Sequence, residues 1–283
     1  MNHQMTKHRK YIASDLTFAI CAYKESPFLE ECIQSVLNQT VMKQSESAKV
    51  LIATSTPCDY ISNLAAKYAI PLFVNKKAQG HSNIGNDWNY CYSCADTKLV
   101  TIVHQDDIYY PNYGEKILEY LMLEEAVHPL IAFSDYAERR NGEDVSNNKL
   151  LRVKKTLLKP LRKKKNWSRI RIKRQVLSLG CPICCPSVTY VVDHLPTPIF
   201  QTDLGNAIDW ETWERFSKLE GSFVYCNEVL MAHRIHAGSE TTNQIAEGGR
   251  EKEDFIMLCK FWPKPIALLI EHFYKQSERS NSL

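Results

Sequence analysis

Two adjacent carboxylates, Asp106 and Asp107, follow the apolar run Leu99-Val100-Thr101-Ile102-Val103 as part of the tetrapeptide His104-Gln105-Asp106-Asp107. Acids at the carboxyl end of an interior strand repel each other and resist desolvation, so a cation or a ligand hydroxyl is expected to compensate them. Ile108-Tyr109-Tyr110-Pro111 stops the strand, and Pro111 suits the first turn of a helix through Leu118 and Leu121. The pair therefore sits on a strand-to-helix turn, where open α/β sheets bind their ligands. The plainer alternative makes Asp107 a helix cap and Asp106 a solvated turn acid.

The elements that must position this turn alternate upstream of it. Leu16 to Ala22 reads as a strand, and Phe28, Leu29, Ile33, Val36 and Leu37 recur at helical spacing behind Ser26 as cap and Pro27 in the first turn. Lys49 to Ala53 is a second strand, Ile61 to Tyr68 a helix, Pro71 to Val74 a third strand and Asn86 to Ala95 a helix. Such alternation implies a parallel sheet with crossover helices, a nucleotide-binding type of half. Neither G-x-G-x-x-G nor G-x-x-x-x-G-K-[ST] occurs, so few glycine amides are on hand to neutralise a diphosphate, and a metal cation is the natural substitute.

Length and composition suit one domain, since 283 residues with 44% hydrophobic content bury a core without staples. Met1 to Lys10 lacks the apolar centre of a signal peptide and no apolar run reaches about 18 residues, so a cytosolic chain is expected. The ten cysteines, including the Cys91/Cys94 and Cys181/Cys184 spacings, read as reduced thiols and core packing rather than as a zinc site. The net charge of +3 hides an asymmetry: thirteen Lys or Arg and no acid lie between Lys149 and Arg174. Leucines, Trp167 and isoleucines interleave with those charges, a composition suited to an anionic bilayer surface or to a solvated surface excursion. Nucleic acid binding would rest on this run alone and is not expected.

Taken together, six segments in order resemble the family 2 inverting glycosyltransferases of GT-A fold, over roughly Leu16 to Thr242. They are the Leu16 to Gln39 opening with its Tyr23/Glu25 turn, Gly80 to Asn89, His104 to Asp107, Phe133 to Tyr136, Ile208-Asp209-Trp210-Glu211, and His233-Arg234-Ile235-His236 with Gly238-Ser239. The resemblance implies an α/β fold, a GT-A type, Rossmann-like, mixed but mostly parallel sheet flanked by helices in a single domain. It implies a tail over 1–14, a GT-A domain over 15–242 and a helical extension over 243–283. Within the domain it implies a nucleotide-sugar half over 15–140, a basic insertion over 149–174 and an acceptor half over 175–242.

The same resemblance implies residue roles. Asp106 lies by the ribose and sugar, and Asp107 ligates the Mg2+ or Mn2+ that bridges the donor diphosphate. His236 completes the metal or diphosphate contacts, with Arg234 as a phosphate partner. Tyr23, Glu25, Asn86 and Asp87 flank the donor. Asp209 is the general base, with Glu211 as its rival. A nucleoside-diphosphate sugar donor is implied, UDP-sugar foremost, although Ala53-Thr54-Ser55-Thr56 lacks the acid that often contacts uracil and leaves guanosine and thymidine diphosphate sugars open. A glycan or lipid-linked acceptor and peripheral contact with an anionic inner membrane face complete the expectation. The competing readings are a nucleotidyltransferase, which also pairs acids on a metal, and a non-catalytic binder acting through 149–174.

Overall fold

The apolar runs of the first hundred residues become parallel strands because helices cover both of their faces. A computed structural model of the chain describes residues 11–78, 83–236 and 249–279, with the side chains of 249–251 and 273–279 left aside. In it β1 (Leu16–Ala22), β2 (Lys49–Thr54), β3 (Leu72–Val74) and β4 (Leu99–His104) pair in parallel in the order β3-β2-β1-β4. Their crossovers are α1 (Leu29–Leu37), α2 (Asp59–Lys67) and α3 (Ile84–Ser93). Nearly all of β1 is buried, as a doubly covered parallel strand must be. Helix α1 starts later than the Ser26-Pro27 signal implies: Ser26 Oγ accepts the Phe28 N–H at 3.3 Å and closes a turn outside the helix.

Beyond β4 the sheet turns mixed. β5 (Ile108–Tyr109) follows the acids, then α4 (Tyr113–Leu121), which Pro111 precedes rather than enters. β6 (Pro129–Arg140), β7 (Glu143–Val145), α5 (Lys149–Leu158), α6 (Ile170–Leu177), β8 (Val188–Val191), α7 (Ile208–Ser217) and β9 (Ser222–Arg234) complete the domain, with α8 (Gly249–Cys259) and α9 (Lys264–Arg279) behind it. β8 runs antiparallel between β4 and β6, β6 and β9 are parallel, and β5 is antiparallel to β9. The result is one mixed α/β domain whose parallel half brings β1 and β4 side by side, Cys21 opposite His104.

The basic stretch is anchored rather than afloat. Leu151, Leu158, Leu161 and Trp167 are buried, and the Trp167 indole N–H donates to Leu161 O at 2.8 Å. Leu150 and Val153 face outward from α5, each about half exposed. All ten cysteines are free thiols, and buried Cys91 donates to Ala19 O, so they serve as small core groups. Pro263 separates α8 from α9, and among the described residues no helix is long and apolar enough to cross a membrane.

Candidate active site

The turn after β4 is held from two sides. Gln105 acts as a surrogate strand: its Oε1 accepts the Tyr23 N–H at 2.9 Å and its Nε2 donates to Tyr23 O at 3.0 Å, joining the carboxyl ends of β1 and β4. On the other side the pairing of Ile108 with Ala232 and Tyr109 with Met231 brings His233 and Arg234 to the two acids. Asp107 is fully buried, and its Oδ1 accepts both the Arg234 backbone N–H and His233 Nδ1–H at 2.9 Å. Burial opposes charge on His233, but the Asp107 carboxylate outweighs it and lifts the histidine above its ordinary pKa.

Asp106 turns the other way. Its Oδ2 lies 2.9 Å from His236 Nε2, and the His236 ring packs on Phe28 with 4.8 Å between centroids. Arg234 spends part of its guanidinium on the protein itself. Its Nε donates to Asp106 O at 2.9 Å, its second amino group donates to Glu31 at 2.6 Å, and its guanidinium lies 4.3 Å over Phe28. Glu31 in turn takes Arg139, which also binds Asp144, so the two arginines are neutralised behind the turn.

His104 lines the inner wall. Its ring stacks on Trp88 with 4.8 Å between centroids, and burial pushes its pKa down to about 4 against the pull of Asp106, so the ring is neutral. Its Nε2 and Asp107 Oδ2 are buried polar atoms without hydrogen-bond partners. Orphaned polar atoms of this kind mark a place where a ligand or ion is expected. The Asp106 carboxylate suits Mg2+ or Mn2+, and His236 Nε2, 2.9 Å from it, would add a nitrogen that Mn2+ takes more readily than Mg2+. Among the described residues no cluster of three or more His, Cys, Asp or Glu is placed to hold a metal, so a cation here would draw its remaining ligands from water or substrate oxygens.

Asp209 lies in the first turn of α7 but does not cap it. Glu253 of α8 instead closes the loop that leads into the helix, accepting the N–H groups of Gly205, Asn206 and Ala207 at 2.8, 2.6 and 2.8 Å. Asp209 Oδ1 accepts the first-turn Trp210 N–H at 2.7 Å, and its Oδ2 accepts from the Cys181 thiol at 3.4 Å. Burial, reinforced by Asp209, pushes the Cys181 thiol well above its ordinary pKa, so it stays protonated. Burial also raises the Cys184 thiol, with Asp107 and Asp209 adding to the rise and Lys154 opposing it. The rival base Glu211 and its neighbour Glu214 are both tied up in ion pairs. Glu211 pairs with Lys260 and Arg215, while Glu214 is buried on Arg174 and Lys218.

The structure thus gathers Asp106, Asp107, Arg234 and His236 into one constellation, next to which Gln105 ties down Tyr23, 44% exposed, while Asp209 stands on α7 beside Cys181. Glu25 and Asn86 are exposed; Asn86 and Asp87 lie in the first turn of α3, the helix whose Trp88 carries His104. Gly80, Gly238 and Ser239 lie outside the described residues. Sequence reasoning missed Glu31 and Glu253, and gave Gln105 and His233 no role although both fall inside its motifs. Their roles carry no local signal, because each acts on a partner far along the chain.

A family model described as glycosyl transferase family 2 matches residues 17–186. No curated protein matches the chain by sequence. Solved structures share its fold. S. aureus TarS, in complex with UDP-GlcNAc, is 14% identical with a TM-score of 0.61, covering 90% of this chain and 70% of that one. The mannosyltransferase PcManGT from Pyrobaculum calidifontis, in complex with GDP-Man and Mn2+, is 13% identical with a TM-score of 0.56, covering 93% and 69%. Glucosyl-3-phosphoglycerate synthase from Mycobacterium tuberculosis, with Mn2+ and UDP-glucose, is 15% identical with a TM-score of 0.54, covering 87% and 78%. The family match spans more than half of the sequence, and these neighbours share the mixed sheet and flanking helices of the GT-A fold. This chain is a member of glycosyl transferase family 2.

Proposed function

We propose that the protein is a metal-dependent, inverting glycosyltransferase that moves a sugar from a nucleoside-diphosphate sugar to a hydroxyl of a glycan or lipid-linked acceptor. The observation that carries this reading is the 2.9 Å approach of Asp106 Oδ2 to His236 Nε2, at the carboxyl ends of the parallel strands. These two residues would hold Mg2+ or Mn2+. When bound, the cation offsets the charge that develops on the departing nucleoside diphosphate. The family resemblance gives the cation to Asp107; here Asp107 Oδ1 is held by Arg234 and His233 and positions the turn, its unpartnered Oδ2 stays open to the same cation, and Asp106 is the added ligand.

Asp209 takes the proton from the acceptor hydroxyl as that oxygen attacks the anomeric carbon from the face opposite the leaving diphosphate. One new C–O bond forms as the old one breaks, and configuration inverts. The protonated Cys181 thiol beside it orients Oδ2 without competing as a nucleophile. Arg234 acts through the turn, fixing the backbone of Asp106. Tyr23, Glu25, Asn86 and Asp87 border the donor. A UDP-sugar is the leading donor, supported by the UDP-sugar complexes of TarS and the mycobacterial synthase, with a GDP-sugar as competitor on the PcManGT precedent.

The outward Leu150 and Val153, set among Lys149 and Arg152, support peripheral contact with an anionic membrane from the cytoplasmic side. The test is a panel of nucleotide sugars with Mg2+ or Mn2+, read as nucleoside diphosphate release. No release, together with no cation-dependent nucleotide binding, would sink the proposal.

A further inference from the structure

Two lysines of the basic stretch turn inward, and they are treated differently. Lys173 is wholly buried, and its ammonium donates to Leu219 O at 2.7 Å and Gly221 O at 2.8 Å. Those carbonyls fix it as a structural strut. Lys154 sits between Leu151 and Leu158 on the core-facing stripe of α5, a position where the helical pattern calls for an apolar side chain. Its ammonium makes one hydrogen bond, to the Tyr136 hydroxyl at 2.9 Å, and no ion pair among the described residues. An ammonium carries three N–H donors, so two are left without a protein acceptor.

The neighbourhood is that of the transfer site. Tyr136 meets the His233 ring edge-on at 6.3 Å, and His233 holds Asp107. Cys181, which donates to Asp209, and Cys184, which feels Asp107 and Asp209, both lie within electrostatic reach of Lys154. Arg234 and Arg139 are spent on Glu31 and Asp144. Lys154 is therefore a partly buried cation on the Tyr136 side of the site, with no carboxylate in ion-pair distance among the described residues. A partly desolvated ammonium with free donors gains when a ligand supplies the anion.

We infer that Lys154 is the counter-charge for a phosphate group carried by a substrate of this site. The phosphate belongs either to the donor diphosphate or to a phosphorylated acceptor. A compact ammonium with two free donors suits a phosphate oxygen. The inference rests on the transferase reading for which substrates enter, and its test separates the two.

The full-length protein, Lys154→Met and Lys154→Arg are titrated by calorimetry in Mg2+, with UDP, with GDP, and with inorganic phosphate in the presence and absence of nucleotide. Thermal melts verify folding, and Lys154→Gln replaces the methionine variant if that one melts early. If the donor diphosphate is the occupant, Lys154→Met weakens nucleotide binding by about tenfold or more and Lys154→Arg recovers most of it. If the acceptor supplies the phosphate, nucleotide affinity is unchanged, while phosphate binding to the nucleotide-loaded protein falls by a similar factor. Unchanged affinity of Lys154→Met for both probes overturns the inference, as does unchanged nucleotide affinity when the wild type binds no phosphate. A wild type that binds phosphate through Lys154 but neither nucleotide keeps the inference and refutes the transferase reading. A wild type that binds no probe refutes both.

Discussion

Asp107 Oδ1 accepts the backbone N–H of Arg234 at 2.9 Å, across 127 residues of chain. The bond continues the β5/β9 ladder by one side-chain rung beyond Ile108 and Ala232. It ties the acidic turn of the nucleotide half to the last strand of the domain, so the turn is completed only when β9 is in place.

The two acids should therefore fail differently. Asp107→Ala strands the Arg234 N–H and the His233 ring, and is expected to lower stability by about 3 kcal/mol in urea unfolding. Asp106→Ala should change stability by less than about 1 kcal/mol yet abolish cation-dependent nucleotide binding, with His236→Ala behaving alike. If Asp106→Ala kept that binding in calorimetry, the assignment of the cation to Asp106 and His236 would be wrong.

Asp209→Asn removes the base and spares the donor. Nucleotide affinity should be unchanged while turnover in the donor screen drops by about 10²- to 10⁴-fold. Parallel loss of both in a normally folded variant would contradict the role.

Acid sensitivity should trace to His104. Its folded pKa of about 4 lies below the unfolded value, so between about pH 6.5 and 4 the unfolded chain binds the extra proton and stability falls as pH drops. His104→Leu should flatten that limb of the urea midpoint against pH. His233 has the opposite sign: its raised pKa contributes stability that is present below about pH 6.5 and lost as pH climbs through the folded value. An unaltered acid limb in His104→Leu would refute the assignment.

Gln39 is the hidden brace of the segment after the acids. Fully buried, it donates to Tyr110 O at 2.7 Å and accepts the Gly114 N–H at 3.0 Å. Gln39→Leu should cost about 2–4 kcal/mol by leaving both backbone groups unpaired, measured as a lower urea midpoint with unchanged slope.

The strands and helices of the parallel half were legible because their signals are local. The apolar run at Leu16 to Ala22 and the helical spacing through Leu37 state their burial without reference to anything distant. The acidic turn was legible for the same reason, as charge at the end of a buried run. Boundaries slipped where a side chain chose a turn over a cap, as Ser26 did with Phe28. The role of each acid was not legible. Asp106 and Asp107 are neighbours of one residue type, and they are distinguished by partners more than a hundred residues away: His236 for one, His233 and Arg234 for the other. The same holds for Asp209, met by the Cys181 thiol from another segment, and for Lys154, set beside Tyr136. Sequence by itself determined which elements form and where charge must be compensated, since both follow from short-range periodicity and solvation. The tertiary structure alone decided which way each charge faces, because that depends on which donors and acceptors the sheet brings within hydrogen-bond reach.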